Sequence, residues 1–203
     1  MGKSVVTPEA VIRLVWLVWL ISWFAAAAWS NPTVKRPGLG RELIYRVLGA
    51  AGALLLFGFY PRGFTDVPGR WQVGRGINWV MVVLAVLGLL LASWARIYLG
   101  RLWSSSVTRK RNHHVVDTGP YALVRHPIYT GIILAAAATA VVRGTAVALA
   151  GAVLMTYSLY LKARLEEDFL RKELGTDDYN AYARCVPMLV PFMPVQDTPS
   201  DSA

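Results

Sequence analysis

Residues 128–161 read IYTGIILAAAATAVVRGTAVALAGAVLMTYSLYL, two apolar runs, Ile128 to Val142 and Thr145 to Leu161, separated only by Arg143-Gly144. So short a break between two helix-length apolar runs predicts an antiparallel helical hairpin, because connections of a few residues join spatial neighbours. His126 lies about 17 residues before the turn and Lys162 about 18 residues after it. At about 1.5 Å rise per residue, both are some 25–27 Å from the turn, so the two open ends of the hairpin reach the same level. Everything else in the chain can be placed around that hairpin.

The 203 residues are 55% hydrophobic and only 16% charged, too apolar for an ordinary soluble domain of this size, and they predict an integral membrane protein. The formal charge of +9 does not point to nucleic acid. The basic residues fall mostly between apolar runs, where they face anionic lipid. Cys185 is the single cysteine, which excludes an internal disulfide and a thiolate metal framework, and no metal site is expected. GRWQVGRG, residues 69–76, follows no convincing strand and matches no dinucleotide fingerprint, so it is expected to be a loop.

Five apolar runs predict an all-α, polytopic membrane helical bundle of about five spans, with amphipathic helices on the cytoplasmic side. Val11 to Trp29 is long enough to cross a hydrocarbon core of about 30 Å. Its length and its terminal Trp29 favour a retained span over a cleaved signal. Leu43 to Tyr60 is a weaker span that carries Arg46 and several glycines, and it is expected to pack through its small residues. Ile77 to Leu99 is the strongest, and the hairpin supplies the fourth and fifth. Beyond it, LKARLEEDFLRKELG continues a helical pattern and DDYNAYARCV reads as a short amphipathic piece. The chain divides into residues 1–99, N-terminal membrane helices; 100–192, a long loop, the hairpin and amphipathic helices; and 193–203, a disordered tail. Disorder is also expected of the Pro-rich stretch from Pro187 that leads into that tail. Fourteen Lys and Arg residues fall on the side of the 30–42 loop, the 96–125 loop and the C-terminus, against six on the other, so the first side is assigned to the cytoplasm.

That face gathers the candidate chemistry: Arg125 and His126 at one end of the hairpin, Lys162, Arg164, Glu166 and Glu167 at the other, and the loop carrying His113, His114 and Tyr121. Pro127 suits the first helical position and biases His126 away from helical conformation. Arg125 and the free N–H groups of the first turn then suit an anion, while Glu166 and Glu167 suit hydroxyls or a cation. The blander readings are a headgroup anchor for Arg125-His126, a solvated face for the Glu pair, and interfacial rings for Tyr179 and Tyr182.

HVVDTGPYALVRHPIYTG (His114 to Gly131) and EEDFLRKELGTDDYNAYARCVPMLVPF (Glu166 to Phe192) resemble the isoprenylcysteine carboxyl methyltransferase family, in its small prokaryotic form, which is related to the membrane phospholipid N-methyltransferases. The resemblance lies in the order of an H-x-V-x-x-G-x-Y-like element, R-H-P-x-Y-x-G, the E-E pair and Y-x-x-Y. It implies a membrane methyltransferase using S-adenosylmethionine, held by His114, Val116, Gly119, Tyr121, Arg125, His126, Tyr129, Glu166 and Glu167. The acceptor implied is a hydrophobic or lipid-like molecule entering from the bilayer, with a carboxylate, hydroxyl, thiol or amine to methylate. A carboxylate acceptor needs no base, whereas for the others His126 or Glu167 would take the proton. Arg164 or Lys162 would steer an anionic acceptor. The competing classes are an NADPH-dependent membrane sterol or steroid reductase and a non-catalytic lipid-binding membrane protein.

Overall fold

A computed structural model describes residues 6–27, 39–59, 69–100, 116–174 and 176–193. Among these residues six helices run in chain order: α1 (Pro8–Ala27), α2 (Leu39–Phe57), α3 (Arg75–Leu99), α4 (Pro127–Arg143), α5 (Ala146–Leu174) and α6 (Thr176–Cys185), with a short 3-10 turn, Gly119–Ala122, ahead of α4. The only extended pairing among the described residues is an isolated bridge between Arg70 and Thr145.

The expected hairpin is α4 and α5. Gly144 closes it in the left-handed conformation (φ 59°, ψ 38°), which costs a glycine little. The GRWQVGRG loop is pinned to this turn, with Trp71 N–H donating to Gly144 O (3.0 Å) and Ala146 N–H to Gly69 O (3.1 Å). α5 does not stop where its apolar run does. At 29 residues it is about 44 Å long, so its charged last turns project beyond a core of about 30 Å.

Packing is the reverse of a water-soluble protein's. The interior is lined by Ala85, Ala92, Ala95, Ala135 and Ala138, while Leu17, Ile21, Val83, Leu90, Val153 and other large apolar side chains are exposed. An interior rich in alanine, with Trp16, Trp19 and Leu56 also buried, and a surface of large apolar side chains suit a bundle whose solvent is lipid, where close backbone approach supplies the attraction. On the α3–α4 seam, a Cβ on Gly88 or Gly131 would collide with the other's carbonyl oxygen. α1 is held by indole donors, Trp16 Nε1 to Thr139 Oγ1 (2.9 Å) and Trp19 Nε1 to Ser93 Oγ (3.0 Å).

α1, α3 and α5 are long and apolar enough to cross a membrane. α4 is apolar but only 17 residues long, and α2 carries Arg41, Glu42 and Arg46. The described chain is thus a membrane helical bundle with three helices that qualify as spans on length and composition.

The disorder expected from Pro187 onward needs correction at its start. Pro187 O accepts from Arg125 N–H (2.8 Å), Met188 O from His126 N–H (3.1 Å) and Leu189 O from Thr130 Oγ1 (2.6 Å), so residues 187–189 form a strap across the entry to α4. Composition could not show this, because the partners are two backbone amides and one threonine hydroxyl about 60 residues away.

Candidate active site

Pro127 occupies the first turn of α4, and His126, at φ −125° and ψ 63°, is the non-helical residue before it. The first amide bonded within the helix is Thr130 N–H to His126 O (3.0 Å), so the N–H groups of Ile128 and Tyr129 precede the ladder. The hairpin brings this end against the last turns of α5.

Glu167 is the hub. Its side chain is 2% exposed and accepts from Arg125 Nε (2.8 Å), Arg125 Nη2 (3.4 Å) and Arg171 Nη2 (3.2 Å), with His126 Nε2 at 3.2 Å from Oε1. Arg125 also donates Nη1 to Ala183 O and Val186 O, both at 2.7 Å, and so binds the last carbonyls of α6 to α4 and α5. The direct anion clamp expected of Arg125 is therefore largely committed inside the chain. Its guanidinium positions Glu167, and the C-terminal carbonyls take most of the rest.

Glu166 has a more open environment. Tyr129 Oη donates to its Oε1 (2.6 Å), Lys162 Nζ lies 3.9 Å from the same oxygen, and His126 Nδ1 is 3.6 Å from Oε2, too long for a hydrogen bond. The His126 and Tyr129 rings stack at 5.3 Å with 6° between planes. Lys162 lies over the Tyr129 ring at 5.2 Å. The solvated-face reading of the pair therefore fails for Glu167, which is buried, and holds only in part for Glu166.

The remaining predicted residues divide. Tyr121 is buried, its hydroxyl reaching Ala95 O (3.4 Å) while its carbonyl accepts from Tyr182 Oη (2.7 Å). Burial pushes the Tyr121 and Tyr182 phenols well above their ordinary range, so both remain donors. Tyr179 is buried too, which replaces the interfacial-ring reading for it. Val116 packs against the core and Gly119 opens the 3-10 turn. Arg164 is exposed and stands outside the cluster, because positions 162, 163, 166 and 167 are the inward ones on this part of α5. His113 and His114 lie outside the described residues. Sequence reasoning missed Arg171, Thr130 and the α2 residues Glu42 and Tyr45, although ionisable side chains within an apolar helix are themselves a signal.

A helical membrane bundle with a buried carboxylate–histidine–tyrosine–cation cluster at one end of a hairpin is the class that this geometry defines. Residues 80–172, which hold the hairpin and the Glu pair, match the model of the isoprenylcysteine carboxyl methyltransferase (ICMT) family. The chain is 34% identical over 164 residues to the cobalt-zinc-cadmium resistance protein CzcN of Cupriavidus metallidurans, covering 78% of this chain and 65% of that protein. It is 34% identical over 111 residues to the protein-S-isoprenylcysteine O-methyltransferase of Schizosaccharomyces pombe (53% and 47% covered) and 30% identical over 115 residues to protein-S-isoprenylcysteine O-methyltransferase B of Arabidopsis thaliana (55% and 58%). The chain thus spans less than two thirds of the length of each of these relatives.

Proposed function

We propose that the chain is an integral membrane methyltransferase that uses S-adenosylmethionine to methylate a hydrophobic or lipid-like acceptor. The observation that carries this reading is Glu166, a carboxylate set between Tyr129, His126 and Lys162 within the family segment. The residues present fit such a donor. Glu166 offers acceptor oxygens to hydroxyls and a cation, and the N–H groups of Ile128 and Tyr129, backed by Arg125, suit a carboxylate. His114, Val116, Gly119, Tyr121, Arg125, His126, Tyr129, Glu166 and Glu167 would surround it, with Arg125 and Glu167 acting mainly as the frame.

When bound, the donor supplies a sulfonium methyl open to direct displacement. The chain's share is alignment and exclusion of water. Tyr129 orients Glu166, and the 187–189 strap covers the entry to α4. Isoprenylcysteine O-methylation by relatives favours a carboxylate acceptor, which needs no base. For an acceptor that must lose a proton, His126 is the better base, since Glu167 is already occupied by two arginines. Lys162 lies inward, beside Glu166, and Arg164 is the exposed cation that would steer an anionic acceptor toward the site without holding it.

The finer topology belongs to the same proposal: five spans, the site facing the cytoplasm, and the acceptor entering from the bilayer. Calorimetric titration of detergent-solubilised protein with S-adenosylmethionine, S-adenosylhomocysteine and NADPH tests the function. Binding of the two sulfur compounds is expected. Binding of NADPH alone would make it a reductase, and binding of none would leave a lipid-binding protein.

A further inference from the structure

The helix pair α2–α5 runs antiparallel and is drawn together by small residues. A Cβ on Gly52 would meet Met155 N and Gly151 O (2.7 and 2.8 Å), and a Cβ on Gly49 would meet Ser158 Oγ (2.8 Å). Ser158 Oγ then donates to Tyr45 O (2.7 Å), fixing the register. The next turns along α5 present Lys162 and Glu166, and the preceding turn of α2 presents Glu42. Lys162 Nζ lies 5.9 Å from the Tyr45 ring centre, between that ring and Tyr129.

Two atoms in this seam lack an internal partner. Tyr45 and Glu42 are each 6% exposed. Glu42 Oε2 takes Arg46 Nη2 (3.1 Å), and the Arg46 guanidinium also lies beside the Tyr45 hydroxyl, but Glu42 Oε1 and Tyr45 Oη are buried without a well-aligned hydrogen bond to any described residue. Leaving a buried donor and a buried acceptor unsatisfied one helical turn apart is costly, and few such atoms survive in a fold without a use. The Tyr45 ring lies beside Lys162, which adjoins the Glu166 site, and both residues precede the 80–172 family segment.

We propose that Glu42 and Tyr45 of α2, with Lys162 of α5, form the subsite that receives the polar head of the methyl acceptor, a proposal that rests on the methyltransferase reading. Tyr45 Oη and Lys162 donate to an anionic oxygen, and Glu42 Oε1 accepts from a neighbouring N–H or O–H. The acceptor is therefore an amphipathic molecule whose head carries both an anionic oxygen and a hydrogen-bond donor. Its apolar tail lies on the exposed Leu43, Ile44 and Val47 of α2 and Val153 and Tyr157 of α5. Arg46, half exposed beside Glu42, marks the rim.

Tyr45→Phe tests this, because it removes one atom whose neighbour in the fold is the half-exposed Arg46, itself held by Glu42. In lipid nanodiscs, binding of N-acetyl-S-farnesylcysteine (carboxylate and amide N–H), S-farnesylthiopropionate (carboxylate only) and S-adenosylhomocysteine is measured on wild type, Tyr45→Phe and Glu42→Leu. Wild type is expected to prefer the N-acetyl probe, and Tyr45→Phe to bind both farnesyl probes about tenfold more weakly, the loss of one hydrogen bond to a charged group. Its thermal midpoint should stay close to wild type, and its S-adenosylhomocysteine affinity unchanged. Glu42→Leu should erase the preference for the N-acetyl probe. Unchanged probe affinity in Tyr45→Phe, or no probe binding by wild type, overturns the subsite while leaving the methyltransferase reading to its own measurement. Tyr45-dependent probe binding by a protein that ignores S-adenosylhomocysteine upholds the subsite and sinks that reading instead.

Discussion

Arg125 and Glu167, 42 residues apart, form a two-point ion pair (Nε–Oε1 2.8 Å, Nη2–Oε2 3.4 Å) in which the carboxylate is almost fully buried. Because Nη1 of the same guanidinium holds the carbonyls of Ala183 and Val186, this pair joins the start of α4, the end of α5 and the end of α6 at one point. Arginine suits the position because its planar fork serves a carboxylate and two carbonyls together.

Arg125→Ala should consequently destabilise the fold as well as weaken donor binding. Removing one partner of a buried pair typically costs about 3–5 kcal/mol. Arg171 and His126 still hold Glu167, so the lower end is expected, seen as a fall in thermal midpoint in detergent. Arg125→Lys should recover little of it, since an ammonium cannot reproduce the fork. A variant of full stability with lost S-adenosylmethionine affinity would make Arg125 a ligand contact and not a frame.

The two adjacent glutamates should separate in the same assays. Glu166→Gln, at the more open position, is expected to keep its stability within about 1 kcal/mol of wild type and to lose donor affinity or turnover. Glu167→Gln leaves Arg125 and Arg171 without their shared carboxylate and should lower stability by several kcal/mol. Chemical denaturation and equilibrium binding on both variants decide it. The reverse pattern would exchange their roles.

Thr130→Val deletes the hydroxyl that reaches Leu189 O while keeping the shape of the side chain. The cost should be about 0.5–1.5 kcal/mol, concentrated in the strap. Faster amide exchange confined to residues 186–190, with α4 itself unchanged, is the expected result. Uniform loss of protection across α4 would show that the hydroxyl supports the helix instead.

Gly131→Ala places a methyl group against Gly88 O and Ala92 of α3. Both obstacles are on a packed helix, so α3 and α4 must part. Destabilisation of about 1–3 kcal/mol is expected, with Gly40→Ala, where a Cβ meets nothing within 4 Å, as the control that stays near wild type.

Arg164→Ala should leave both the thermal midpoint and S-adenosylmethionine affinity within error, because the side chain is exposed and outside the cluster. Under the proposed function only turnover with a charged acceptor falls. A drop in donor affinity would place Arg164 in the donor site.

Hydrophobic runs, the Arg143-Gly144 break and the rise per residue were enough to read the hairpin, the membrane class and the meeting of His126 with the Glu pair. Those features depend on length and polarity, which are local to each segment. The order of R-H-P, E-E and Y-x-x-Y also carried the family, which the match over residues 80–172 supports. Which glutamate is buried could not be read there. Glu166 and Glu167 have the same chemistry and adjacent positions, and only the angle at which α5 meets α4 turns one toward Arg125 and the other toward Tyr129. The same holds for the 187–189 strap, whose carbonyls are held by two distant amides and the Thr130 hydroxyl and leave no mark on composition, and for Tyr45, whose place beside Lys162 follows from glycine-mediated packing of α2 on α5. Periodicity along a chain sets what each helix can bury; the contact between helices far apart in sequence decides which side chain is buried, and against what.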